Sequence, residues 1–192
     1  MNPVLYNLYE NFFELNPSIN KIVSIDIETT GFSNSDKIIE IGVCGFEFDG
    51  ITPNYIEYSS LINPHMSIPK EAARVNGITD EMVAEAPEDL TVFEKLNSII
   101  DGAKLIIMHN SNFDSRMLRN NYIRAGMDFS KFENNIRCSM NMAKSSKLPL
   151  KSVKLNDVAA YFGYKNEQAH RALSDAITTL YIYAKLKGLN MQ

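Results

Sequence analysis

Hydrophobic positions along this chain follow two periods. Over residues 21–62 they largely alternate with polar ones, the spacing of β-strands; beyond Pro64 most recur at three and four residues, the spacing of helices. The alternating part divides into segments 21–28, 37–49 and 52–62. In the second, Ile39, Ile41 and Val43 are set against Ile38, Glu40 and Gly42, and the segment closes on Asp49-Gly50, a hairpin turn pair. Consecutive strands joined by short turns predict an antiparallel meander.

Before the strands, Leu5, Leu8, Tyr9, Phe12 and Phe13 lie at helical spacing within residues 3–15, and Asn16-Pro17 ends that run. This predicts a helical extension over residues 1–20, ahead of a domain over 21–192. After Pro64 the pattern predicts short helices at 69–75 and 79–86 and a longer one at 90–100, with Thr79 as N-cap before Asp80 and Glu81. KLIIMH, residues 104–109, is a compact apolar strand, and the helix at 112–125 follows at once and stops at Gly126. A further strand is expected at 136–140, a helix at 155–162, and a last helix at 171–186 ended by Gly188. A meander followed by strand-helix units makes an α/β fold, a mixed sheet with helices packed around it.

The first strand breaks its own apolar pattern with Asp26 and Glu28 among Val23, Ile25 and Ile27. Residues two apart on a strand share a face, so the two carboxylates lie about 7 Å apart, within reach of one cation. Buried without a partner they would cost several kcal/mol, so they call for a metal or a strong donor. Asp114 follows the apolar strand in HNSNFD, and His170 and Asp175 stand in HRALSDA. Singly, each acid is explained by its place at a helix start, worth a few tenths of a kcal/mol. Together, Asp26, Glu28, Asp114 and Asp175 make an oxygen-only ligand set that suits Mg²⁺ or Mn²⁺ rather than zinc. Two such ions about 3.5–4 Å apart can hold a scissile phosphate and activate water, with an imidazole as nearby base. On one regular helix His170 and Asp175 would be turned roughly 140° apart, which places His170 on the loop before the helix, mobile until substrate closes the site.

Composition narrows the setting. A hydrophobic share of 45% and a charged share of 22% are those of an ordinary globular protein. A net charge of −4 argues against coating duplex nucleic acid, yet permits a grip on a strand end. Cys44 and Cys138, with no CxxC spacing, indicate neither a disulfide framework nor a zinc knuckle. No apolar run is long enough to span a membrane, and the first residues lack the features of a signal peptide, so a cytoplasmic setting is expected. Lys144, Lys147, Lys151 and Lys154 read as a solvated face more readily than as a strand contact, and His65 as a surface side chain. His109 reads as a core hydrogen-bonder, Cys138 as a small buried hydrophobe, and Tyr161, Phe162 and Tyr164 as core.

Three blocks in order, VSIDIETTGFSNSDKIIEIG, HNSNFD and HRALSDA, resemble the DnaQ-like, or DEDDh, 3′-to-5′ exonucleases, which include the proofreading subunit of bacterial replicative polymerase. NGITDEMV and KLNDVAAYFGY are similar to further family segments, and the likeness runs from about Ile22 to Leu186. It implies an RNase H-like fold with a five-stranded mixed sheet and two divalent ions on Asp26, Glu28, Asp114 and Asp175. It implies that His170 takes a proton from the attacking water, and a histidine rather than a tyrosine there places the chain in the DEDDh branch. Thr29 and Thr30 would meet the terminal nucleotide, Ile78 would offer its base an apolar surface, and Asn110 and Phe113 would lie near the strand end. The expected activity is release of nucleoside 5′-monophosphates from single-stranded DNA 3′ ends. Short RNA ends, a polymerase partner, and a non-catalytic nucleic-acid or polymerase-binding module stand as alternatives.

Overall fold

A computed structural model describes residues 19–50 and 52–188; the helix expected at residues 3–15 lies outside them. Strands β1 (Lys21–Thr29), β2 (Ile38–Phe48) and β3 (Pro53–Leu61) form the predicted antiparallel meander, while β4 (Leu105–Met108) and β5 (Ile136–Cys138) run parallel to β1. The sheet order is β3-β2-β1-β4-β5, so β1 is the middle strand of a five-stranded mixed sheet. Helices α1 (Lys70–Asn76), α2 (Asp80–Val83) and α3 (Asp89–Ile100) precede β4, and α4 (Ser111–Arg124) follows it. A 3-10 turn at Ser130–Asn135 leads into β5, and α5 (Ser139–Ser145), α6 (Leu155–Tyr161) and α7 (Ala172–Leu186) complete the order.

The period-two pattern of β1 is two-sided. Val23, Ile25 and Ile27 pack with Phe93 and Leu96 of α3 and with Met117, Leu118 and Tyr122 of α4. Ile22, on the other face, joins Cys44, Phe46 and Ile107 under Ala176, Ile177 and Leu180 of α7. Each such side chain, fully buried, contributes about 1.5–3 kcal/mol, so this middle strand is among the hardest parts of the fold to shift. Phe93 and Tyr122 stack with centroids 4.6 Å apart, and Phe129 meets the Tyr122 ring edge-on at 5.1 Å. Helix α7 is apolar nearly all round because it is covered twice: its outer side, through Ile182, packs on Ala143 of α5 and Val158 and Ala159 of α6.

The alternation expected in β2 does not hold. Glu28 pairs with Glu40 but Thr29 pairs with Ile38, so Ile39 is the extra residue of a bulge. Ile38 therefore joins Ile41 and Val43 on the face covered by α3 and α4, and Ile39 turns into a small separate cluster with Ile68, Ile78 and Val83. Other boundaries also shift. The helix expected at 79–86 is four residues long, and Thr79 caps it in backbone conformation without a side-chain capping bond. β5 is short because Ser139 already enters α5, where its hydroxyl is fully buried and bonds Nδ1 of His109 at 2.8 Å. Nε2 of His109 meets the Val153 carbonyl at 2.9 Å, so this imidazole is the core hydrogen-bonder expected. Cys138 is half-buried, Tyr161 is exposed rather than core, and His65 on the surface pairs with Glu88 at 2.6 Å. Lys144, Lys147, Lys151 and Lys154 are all exposed.

Candidate active site

Three chain segments converge at one end of the middle strands. β1 delivers Asp26 and Glu28 on the face beneath α7. From β4 the chain turns at Asn110, whose backbone is left-handed (φ 86°), and enters α4, whose first turn carries Asp114. Asparagine tolerates this conformation better than most residues, which suits it to so sharp a turn. The third segment is the turn before α7. His170 lies there with φ 64°, exposed, and its N–H donates to Asp175 Oδ2 at 3.3 Å. His170 thus sits ahead of the helix rather than on it, as the five-residue spacing required. Asp175 is further fixed by Asn166, whose amide donates to Oδ1 and whose carbonyl oxygen accepts from Ser174 Oγ at 2.6 Å.

The electrostatics are those of buried carboxylates crowded together. Burial holds Asp26 well above the usual carboxylate range, and the charges of Asp114, Asp175, Glu28 and Glu40 add to the shift in that order. Glu28 is pushed up to about 8 by burial and by Asp175, Glu40 and Asp114, against a weaker lowering by Arg171. Asp114, buried in the helix start, is pushed up to about 8, and burial raises Asp175 against the hydrogen bonds from Asn166 and from the His170 backbone. Among the described residues no ion pair joins any of these four acids to a lysine or arginine. Glu28, His170 and Asp175 each offer a ligand atom, and the three lie within 4.8 Å of one another. Buried carboxylates that oppose one another's ionisation, two of them grouped with His170, fit a divalent, oxygen-preferring cation.

Beside the acids opens a cavity of about 540 Å³, lined by Glu28, Thr29, Phe32, Val75, Phe113 and His170 among others. Thr29 and Thr30 border it, but their hydroxyls are engaged within the loop: Thr29 Oγ1 donates to the Gly31 carbonyl, and Thr30 Oγ1 bonds Asp36 and accepts from the Lys37 N–H. Ile78 is fully buried in the Ile39 cluster and does not line the cavity. Asn110 is not among the lining residues, whereas Phe113 is. Phe32, 81% exposed, is the apolar residue that the pattern reading passed over. Its ring lies 5.7 Å from Phe113, and Arg116 secures its loop by bonding the Phe32 carbonyl and Asn34 Oδ1. An aromatic directly after Gly31 in a turn was the available signal.

Glu40 was also passed over. It is paired across the strands with Glu28 and is 1% exposed. The signal was an acid flanked by Ile39 and Ile41 inside a strand, the same kind of break that marks Asp26 and Glu28.

Known proteins are similar to this chain. The RNase T exonuclease family matches residues 23–183. The PolC-type DNA polymerase III of Clostridium perfringens is 33% identical over 179 residues, which are 92% of this chain but 12% of the relative, so the chain spans about an eighth of that protein. Among solved structures, E. coli exonuclease I in complex with a dT13 oligonucleotide superposes with a TM-score of 0.74 at 16% identity, over 88% of this chain and 41% of that one. Exonuclease X in complex with 5′-overhanging duplex DNA gives 0.66 at 22% identity, over 88% and 95%. The mixed sheet is that of the RNase H-like exonucleases, and the chain belongs to the RNase T family of exonucleases, the DnaQ-like group.

Proposed function

We propose that this chain is a metal-dependent 3′-to-5′ exonuclease that removes nucleoside 5′-monophosphates from single-stranded DNA ends. The observation that carries the reading is the grouping of Glu28 and Asp175 with His170 beside a cavity large enough for a nucleotide, with Asp26 and Asp114 near enough to oppose their ionisation. Asp26, Glu28, Asp114 and Asp175 would hold two divalent ions, Mg²⁺ or Mn²⁺. The chemistry such ions supply is activation of water and neutralisation of charge on the phosphate and the leaving oxygen. His170, on the exposed turn, accepts the proton that the attacking water gives up. The P–O3′ bond of the last linkage breaks, the water oxygen stays on the released 5′-phosphate, and the shortened strand keeps a 3′-hydroxyl. Phe32 and Phe113 provide flat apolar surface for the terminal nucleotide.

DNA as substrate is supported by likeness to proteins whose names or complexes involve DNA. The same likeness supports a polymerase as partner. Matched DNA and RNA oligonucleotides, 5′-labelled and incubated with Mg²⁺ or Mn²⁺, test the proposal. A ladder shortening from the 3′ end of the DNA, with mononucleotide products, is expected. Loss of label from the 5′ end, preference for RNA, or no release in either metal would overturn it.

A further inference from the structure

Glu40 and Arg171 have no part in the reaction as described, yet they are bound to each other and to the start of α7. Arg171 Nε lies 3.1 and 3.2 Å from the two Glu40 oxygens, and Nη2 lies 2.6 Å from Oε1. The remaining acceptor capacity of Oε2 takes the N–H of Ala172 at 3.0 Å, one of the first-turn amides that a helix leaves unsatisfied. The Glu40 side chain is 1% exposed and that of Arg171 44% exposed. A carboxylate so far out of water has to be paired, and the fork of a guanidinium pairs it with fixed geometry.

The same strand supplies the space. A Cβ at Gly42 would lie 2.1 Å from the Ala172 carbonyl carbon and from the Leu173 nitrogen, so the helix backbone rests directly on the strand. Glu40 and Gly42 share that face of β2, and the bulge at Ile39 is the step that sets it. Immediately before the dock comes His170 with left-handed φ, a conformation uncommon outside glycine, and its neighbours are bonded on both sides. On one flank the His170 N–H bonds Asp175, and on the other stands Arg171, whose N–H bonds the Gln168 carbonyl at 3.2 Å.

We infer that Glu40, Gly42 and Arg171 form a dock that positions His170 over the carboxylates, with Arg171 and Glu40 as positioning residues for the general base. Glu40 adds negative charge beside Glu28, and an apolar contact could hold the helix without doing so. Only a rigid, directional pair next to His170 fixes both the helix start and the turn before it. Asp175 has its own support in Asn166 and Ser174, so the dock acts chiefly on the imidazole.

The kinetic arm of the test rests on the exonuclease reading; the second arm does not. Arg171→Ala should lower kcat by about 10–100-fold, as loss of an orienting partner does, with KM little changed. Arg171→Lys, which keeps charge without the fork, should recover only part of the loss. In a His170→Ala background, Arg171→Ala should cost almost nothing more, because the residue through which it acts is gone. An equal cost in both backgrounds would overturn the inference. In the metal-free protein, hydrogen exchange at the Ala172 amide should quicken and the His170 imidazole NMR signals should move in Arg171→Ala, whether or not any substrate is cleaved. Unchanged exchange and unchanged imidazole signals would refute the dock even where the wild type is inactive. Glu40→Gln, which keeps the volume, should reproduce both spectroscopic changes, and it replaces Arg171→Ala in every arm if that variant does not fold.

Discussion

Asp26 and Glu28 reach the site on a strand sealed on both faces by apolar side chains, whereas His170 and Asp175 reach it from a turn and helix start held by polar bonds. In the strand half, Val23, Ile25 and Ile27 lie under α3 and α4 and Ile22 lies under α7. Position there comes from burial, which is strong and undirected. In the turn half, Asn166, Glu40, Arg171 and the His170 amide make the contacts, each directional and each lost if one partner moves. The strand half can therefore carry charges that repel one another, because the packing behind it does not depend on them. The turn half can place one exposed imidazole without a core of its own.

The largest expected effect breaks the strand half chemically while sparing it structurally. Asp26→Asn removes a carboxylate whose ionisation burial and its neighbours oppose. Mononucleotide release should fall by a factor on the order of 10⁴ or more, since several kcal/mol of charge stabilisation in the transition state are lost. The metal-free variant should melt above wild type, because folding no longer has to hold that carboxyl protonated against its ordinary tendency to ionise. Steady-state rates and thermal melts in chelator check the pair, and a variant both inactive and less stable would contradict it.

His170→Ala tests the other half. Turnover should drop by about 10²–10⁴ while Mn²⁺ binding, measured calorimetrically, is largely kept. Loss of metal binding with turnover retained at saturating Mn²⁺ would instead make the imidazole a ligand. Gly42→Ala strikes the seat of α7. The added methyl meets backbone rather than a flexible side chain, so a loss of about 1–3 kcal/mol is expected, a fall of several degrees in a chemical or thermal melt. Activity should fall with it.

The same contrast explains what could be read from residues alone. The strand half was legible: apolar alternation announced β1, and the two acids that break it marked the face on which Asp26 and Glu28 lie. Asp114 and the His170–Asp175 spacing were legible because helix geometry restricts where each can point. The dock was not. Its partners, Glu40 and Arg171, are 131 residues apart, and the bulge that turns Ile39 out of register leaves no mark in a period-two pattern. Ile78, which the resemblance sets against the terminal base, is fully buried where Ile39, displaced by that bulge, packs against it, a contact no local pattern shows. Phe32 was obscured by its own exposure, since the cavity it lines is completed by α1 and α4.

A last prediction concerns pH and tests whether the strand half depends on a cation. Glu28 rises from 4.5 in the unfolded chain to about 8 in the fold, and Asp114 from 3.8 to about 8. Between those limits the folded state binds more protons than the unfolded one, so stability of the metal-free protein falls as pH rises from about 4 to about 8. Below that window both states are protonated at these groups, and above it both are ionised, so the trend levels at either end. A divalent ion binds the ionised carboxylates and competes with their protons, so its stabilisation should grow across the same window. Melts with chelator and with Mn²⁺ at pH 6 and pH 8 should differ by only a few degrees at the lower pH and more at the higher. The reverse order would mean that the carboxylates are already ionised and paired without the ion, and the turn half, through His170 or Arg171, would then be neutralising them.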